Sequence, residues 1–362
     1  MMIPLVKVAM PPKDVLMPAL EETLYSGMIA EGETVYRFEA AFAEKFKLSN
    51  VLGMSSGTAA LHASLVLAGV RPGDEVISTP MTAEPTNLAI LHAGGTPVWA
   101  DVHPLDGTLD PDSVRECVTS KTRAIMVVHY AGYPARMDDI MALSREFGIP
   151  VIEDCAHALG ASYDGSSVGS IGDYSIFSFQ AIKHMTTVDG GVLVLRNESQ
   201  ISSAKQFRWF GMLKGMPRSE IDIKEVGYKY NMTNVGATFG LSQLASIDAL
   251  LARHIDNGRY YDAEFSRIPG FSPARFDPKA HPTYWLYTLL CDDADGAARA
   301  LENVGVMASK LHKPNNLHSI FRASARDLPG LESFYARLLH LPCGWWVDDE
   351  TRELIVETLK RG

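Results

Sequence analysis

The stretch FSFQAIKHMTTVDGG, Phe177 to Gly191, decides how this chain is read. A short apolar run, Ile176 to Phe179, reads as the end of a buried strand. Just past it stands a single lysine, Lys183, followed by His184, two threonines, an acid and two glycines. An amine beside a buried strand is expensive to leave charged and unpaired. One reading is bland: the long side chain snorkels its head into water. The other is chemical: partial desolvation lowers the amine pKa and frees a nucleophile for a Schiff base with a carbonyl. Ser178 can face the same cavity and donate to an anion. The glycines after the loop let backbone pass close to a ligand.

Working outward from this loop, short apolar runs alternate with amphipathic stretches from Val51 onward. NVLGMSS, DEVIST, TPVWADV, TRAIMVVH and IPVIEDC read as strands. TAALHASLVLAG, EPTNLAILHAGG, DPDSVRECV and MDDIMALSREFG read as the helices between them. Strands alternating with helices of this length imply crossover units on a mostly parallel sheet. YSIFSF and GGVLVLR are two further strands, and the pattern does not assign their partners. Ahead of the sheet, PKDVLMPALEETLYSG reads as a helix stopped at Gly27, and a second helix is expected over Thr34 to Lys47. A long helical stretch with breaks is expected from Thr233 to about Ser266. After it, TYWLYTLL reads as a strand, and DGAARALENVG and DDETRELIVETL as helices. The expected fold class is therefore α/β: a large, mostly parallel sheet domain flanked by helices (residues 1–250, with an N-terminal helical segment) and a smaller C-terminal α+β domain (251–362).

Two more constellations stand at strand ends. In SSGTAALHASL, small residues and Gly57 open a helix after a strand. Free amides and the helix dipole make such a turn an anion site, and the Ser56 and Thr58 hydroxyls add donors. The same turn also serves as a plain structural connection. In VIEDCAHALG, Asp154 ends an apolar strand and His157 follows. Ligands of open α/β sheets lie at strand C-termini, and a carboxylate there can hold a cationic ring nitrogen. Alternatively Asp154 caps a turn, and Glu153 could take either role. Together the three pieces offer an anion cradle, an acid for a ring nitrogen and an amine for an aldehyde. These are the handles that pyridoxal 5'-phosphate needs.

Composition narrows the rest. The chain has 362 residues, 46% hydrophobic and 21% charged, with a formal net charge of −10. That balance argues against a nucleic-acid binder, whose footprint is basic. An anionic substrate would need a local basic pocket. The four cysteines are scattered, with no metal-ligand spacing, as expected of a reduced protein. No signal peptide and no membrane span are expected, so a cytoplasmic location is the simple reading.

In this order the motifs resemble those of the DegT/DnrJ/EryC1/StrS family of pyridoxal-phosphate sugar aminotransferases, which have the fold-type I architecture. The likeness runs through SGMIAEGETVYRFEAAFAEKF, SSGTAALHASL, RPGDEVISTP, VVHYAGYPARMDDI, VIEDCAHALGASYDG, the lysine loop, GYKYNMTNVGATFGLSQL and LPCGWW. The resemblance implies that Lys183 binds the cofactor covalently and serves as general acid and base. Asp154 pairs with the pyridine nitrogen, and His157 lies near the ring's phenolic oxygen. Ser56, Gly57, Thr58 and Ser178 hold the phosphate. Lys229, within GYKYNM, reaches across a homodimer interface into a shared active site. Met28 and Ile29 border the sugar, and His184 lines the lysine loop. Lys310, His312 and Lys313 are candidate cations for substrate phosphates. The implied reaction moves an amino group from an amino acid, glutamate first, to a nucleotide-linked keto-sugar, in amino-sugar and polysaccharide biosynthesis. No metal, nucleic acid or membrane is expected to take part. Many members stack an aromatic residue on the cofactor where this chain has TPMTAEPTN, which leaves that face to Met81, Ala83 or another residue. Some members are sugar dehydratases with histidine in place of the lysine; the spacing from FSF favours Lys183 over His184. A cofactor- or sugar-binding sensor without turnover is the alternative of another class. A lyase or desulfurase of the same fold is weighed against by the lack of a cysteine in a flexible loop.

Overall fold

The computed structural model describes residues 2–361. The large part of the chain carries strands β1 (Val51–Met54), β2 (Glu75–Ser78), β3 (Thr96–Trp99), β4 (Thr122–Val128), β5 (Val151–Asp154), β6 (Ser162–Tyr163), β7 (Ser166–Ser167), β8 (Tyr174–Ser178) and β9 (Gly191–Leu195). Seven of them form one sheet in the order β1-β9-β8-β5-β4-β2-β3. Neighbours from β3 to β8 run parallel, whereas β9 is antiparallel to both β8 and β1. The expected α/β fold is present, and the two strands left unassigned by the sequence pattern complete the sheet. The chain leaves β8 and returns as β9 with no helix between them, and the two strands pair antiparallel, as strands without a crossover helix do. The lysine loop is that return.

Strand periodicity sorts the quoted stretch onto two faces. Phe177 and Phe179 turn to one side and meet the helix Glu33–Phe46. Their rings lie 5.4 Å from Phe42, and Phe179 lies 5.7 Å from Phe38. Phe38, Phe42 and Phe46 recur at helical spacing, so one helix stripe buries all three. Ser178, between the two phenylalanines, faces the other side, where the helix Gly57–Leu67 begins. Burying each phenylalanine contributes about 1.5–3 kcal/mol, so the register of β8 is pinned and Ser178 is aimed at the Gly57 turn.

The expected long helix is two, Asn234–Leu244 and Ile247–Phe265, bent by 60° at the break. The boundary expected at residues 250 and 251 falls inside the second of them. Beyond it lie β10 (Phe271–Pro273), β11 (Ala280–His281), β12 (Tyr287–Cys291) and β13 (Leu338–Leu341). β10, β12 and β13 form a small antiparallel sheet, and β11 pairs back onto β6. The strand expected over TYWLYTLL starts late, at Tyr287. Tyr284 has a left-handed backbone, φ 48°, and the chain bends through Trp285. There Thr283 N–H donates to Gly132 O, and Leu286 N–H to Ala131 O. Gly132 is required at this crossing: its φ is +99°, and a Cβ would stand 2.7 Å from the Trp285 nitrogen. The four cysteines are unpaired and buried. Among the described residues no single helix is long and apolar enough to cross a membrane.

Glu153 shows why β5 ends as it does. Its side chain is fully buried and turned away from Asp154's face. It accepts hydrogen bonds from the amides of Gly169 (3.0 Å), Ile171 (2.9 Å) and Gly172 (2.6 Å), and pairs with His129 Nε2 at 3.0 Å. Burial alone would push its carboxyl up; the His129 contact and these amides hold it below the usual range. It therefore ties the turn before β8 to the sheet, and the alternative of a ligand-facing role falls away. Glu153→Ala should destabilise the protein by about 3–5 kcal/mol in urea unfolding, because it strips a buried partner from His129 and the amides. Since the folded-state pKa is depressed, the stabilisation it supplies should fade in the wild type as pH falls through the acidic range.

Candidate functional site

The site lies at the C-terminal ends of β5 and β8. At its floor, Gly57 is the first helical residue and Ser56 its N-cap, whose Oγ accepts from Ala59 N–H at 3.0 Å. A Cβ on Gly57 would come within 2.8 Å of Ser178 Cβ. One on Gly191 would lie 2.6 Å from Gly57 N. Only glycine permits this approach. It brings together Ser178 and the first-turn residues Gly57 and Thr58, with free amides pointing outward.

Asp154 is buried above this floor. Thr86 Oγ1 donates to its Oδ2 at 2.8 Å, and Ala156 N–H donates to its Oδ1 at 3.0 Å. Burial pushes the carboxyl pKa up, while Thr86, Ala156 and the charge of Lys183 pull it back. A cationic ring nitrogen beside it would hold it ionised. The chemistry of these donors, with the glycine cradle, fits pyridoxal phosphate.

Lys183 leaves β8 on the return loop and is partly buried. Its Nζ lies over the Trp285 ring, 4.1 Å from the centroid. Burial lowers its pKa to about 7, against the opposing pull of Asp154. The amine and the acid are therefore close enough for their charges to act on each other. His157 stacks on the other ring in the group: its centroid is 4.1 Å from Trp285's with the planes 18° apart, and it is 5.6 Å from His312 at 6°. Ala131 N–H donates to His157 Nδ1 at 3.4 Å. Burial and Lys183 hold His157 well below the usual histidine range, so the ring is neutral with its proton on Nε2.

The ASKLHKPNN residues part company. Asn315 fixes the loop: its Nδ2 donates to Thr82 O, its N–H to Pro80 O, and Asn87 Nδ2 donates to its Oδ1. That seats His312 against His157. His312 is not the cation expected of it: burial and Lys183 lower its pKa to about 4. It is a neutral group whose buried Nε2 has no partner. Lys310 lies over the Tyr335 ring and donates to Ala336 O, and Lys313 is exposed. His184 points behind the lysine, its Nε2 3.3 Å from Thr283 O and its ring 4.6 Å from His254. Lys229 is exposed, over the Trp209 ring at 4.5 Å and bonded to Asn231 Oδ1. Met28 and Ile29 are 63% and 51% exposed. Among the described residues, no contact brings Lys229, Met28 or Ile29 to Lys183. Met81 is fully buried in the core, and Ala83 is partly exposed.

Residues 13–360 match the DegT/DnrJ/EryC1/StrS aminotransferase family. The chain belongs to that family. This DegT-family aminotransferase is similar to the sugar aminotransferase CalS13 from Micromonospora echinospora, with 36% identity, a TM-score of 0.96 and 100% of each chain covered. It is similar to Spr1654 from Streptococcus pneumoniae in its PLP form, with 27% identity, a TM-score of 0.89 and 98% of each chain covered; that protein is also solved in a PMP form. It is 31% identical to the spore coat polysaccharide biosynthesis protein SpsC of Bacillus subtilis over 358 residues, 94% of this chain and 92% of that protein. Fold-type I architecture and aminotransferase class follow.

Thr86 and Trp285 were not foreseen in the sequence of this DegT-family member. Thr86 sits in the TPMTAEPTN segment, where only an aromatic was sought, and a hydroxyl one helical turn beyond Thr82 was the available signal. Trp285 lay hidden in an expected strand. The lowered Lys183 pKa has a stability consequence. Below about 10.5 the unfolded chain takes up a proton that the folded amine refuses down to about 7. Burying Lys183 therefore costs stability that is fully felt below neutral pH and vanishes toward pH 10. Cofactor-free Lys183→Met should be more stable than wild type in urea at pH 6, with the gap closing as pH rises.

Proposed function

We propose that this aminotransferase uses pyridoxal 5'-phosphate to move an amino group from an amino acid, glutamate first, to a keto-sugar carried on a nucleotide, as a cytoplasmic homodimer with shared active sites. The observation that carries the reading is a buried amine, Lys183, its pKa lowered to about 7, near enough to the buried carboxyl of Asp154 for their charges to act on each other, with the Gly57–Ser178 turn at the end of the same strand β8. Likeness to CalS13 supports a sugar acceptor, and likeness to SpsC supports a place in polysaccharide biosynthesis.

Each residue has a role that its setting suits. The Gly57 and Thr58 amides, the helix dipole and the Ser56, Thr58 and Ser178 hydroxyls bind the phosphate. Asp154, oriented by Thr86 and Ala156, holds the proton on the ring nitrogen. His157, with its proton on Nε2, would donate to the ring's phenolic oxygen. The cofactor supplies an aldehyde for the amino group and an electron-poor ring that takes up electrons from the substrate Cα. Lys183 Nζ takes the Cα proton and returns it, which a pKa near the working pH favours in both directions. His184, tied to Thr283 O, is turned away from this work, which favours transamination over the dehydratase reading. His312 Nε2 is free to bond a sugar hydroxyl. The exposed Tyr25 (86%), Met28 and Ile29, with Lys229 beside them in function, are surfaces for a second copy to cover.

Purified protein mixed with glutamate should lose its yellow absorption and release 2-oxoglutarate. A band that persists without oxo acid would instead favour the sensor reading. Lys183→Ala should lack the yellow band while its far-ultraviolet circular dichroism is unchanged; a normal yellow spectrum would remove Lys183 from its role. Lys229→Ala should weaken cofactor or substrate binding roughly tenfold or more in titrations, the worth of one charge-assisted hydrogen bond, and unchanged binding would make it a plain surface lysine.

A further inference from the structure

We infer that Trp285 is a positioning residue, an indole platform that holds the free, protonated Lys183 amine in place near Asp154. The inference rests on reading Lys183 as the functional amine, and it names a contact that no residue type in the lysine loop announces. Three observations carry it. The Lys183 Nζ stands 4.1 Å from the Trp285 ring centroid, well inside the reach of a cation–π contact. The indole is fixed from behind, because its Nε1–H donates to the carbonyl of Ile182, the residue before the lysine, at 2.9 Å. It is held as well by the near-parallel His157 ring at 4.1 Å and by the bend at Tyr284 that only Gly132 admits. Trp285 is 2% exposed, so the platform is dry where it meets the amine's partners and its attraction for a cation is little screened.

The platform has a job that the other neighbours leave undone. The titratable groups around Lys183 are Asp154 from the end of β5, His157 from the turn after it, His312 from the loop that Asn315 fixes and, behind the amine, His184 from the lysine's own loop. Lys7, from the N-terminal segment, lines the small cavity behind it with Trp285, His184 and His254. The three histidines are held neutral by burial, and Asp154 forms no direct ion pair with the amine. Asp154 and the indole face are thus what favours a charged Lys183 against burial. The indole would hold the amine at rest, aimed at the cavity, whenever it is not covalently engaged. Removing the ring while leaving Asp154 should make the amine easier to deprotonate and looser in position.

The test is competitive acetylation of cofactor-free, full-length protein with acetic anhydride across a pH series. The acetylated fraction of the Lys183 peptide is read by mass spectrometry, which gives the amine's titration midpoint. In Trp285→Leu the midpoint should fall by about half to one and a half units relative to wild type. In Trp285→Phe, which keeps an aromatic face but not the indole N–H, the fall should be clearly smaller. If the leucine variant does not fold, as judged by circular dichroism, the phenylalanine variant must still show a measurable downward shift. A midpoint that is unchanged or raised in both variants, or one that falls equally in both, would overturn the platform role. The readout needs no cofactor, so its failure is distinct from a missing yellow band, which would strike the cofactor reading instead.

Discussion

The close approach of three backbones at Gly57, Ser178 and Gly191 is the constraint on which the rest depends. A methyl group on either glycine would drive atoms to within 2.6–2.8 Å of one another. With that contact made, the end of β8, the start of β9 and the first turn of the helix Gly57–Leu67 share one corner. The anion cradle is then a by-product of packing: the free amides of the helix start have nowhere to point but outward. The lysine loop is launched from the same corner, so the distance between cradle and amine is set before any side chain is chosen.

Above that floor, electrostatics does the sorting. The cavity is poor in solvent, and each ionisable group in it is pushed toward its neutral form. Asp154 resists through Thr86 and Ala156, while His157 and His312 yield and become neutral donors and acceptors. Lys183 sits at the balance point, drawn one way by burial and the other by Asp154. A base that can both take and give a proton near neutrality needs that opposition, since burial alone would leave it permanently neutral and a tight ion pair permanently charged. Glu153, the neighbour of Asp154 in sequence, shows the contrast. One residue of strand alternation turns it onto amides and His129, and it becomes a structural tie rather than a ligand.

Much of this was legible in one dimension. Alternating strands and helices announce the parallel sheet because backbone hydrogen bonding and burial impose periods of two and about 3.6 on any chain. FSF followed by a lone lysine, the small residues around Gly57, and an acid at the end of an apolar strand are local signals, and their order along the chain identifies the family. The pairing of β8 and β9 was less visible, since two similar apolar runs carry no mark of their neighbours. Trp285 was misread because a bend enforced by contact with Ala131 and Gly132 interrupts an otherwise strand-like run.

By itself, then, the sequence determined the α/β class and the sheet's period, and it marked one amine and one acid as candidates, because each of these follows from residue type and local spacing. Only the tertiary structure decided which groups meet. It turned Asp154 inward and Glu153 aside, carried His312 in as a neutral ring while leaving Lys310 and Lys313 outside, and laid an indole under the lysine. The reason is physical: contacts between segments far apart in the chain, and the desolvation they create, are properties of how faces pack, and no run of neighbouring residues encodes them.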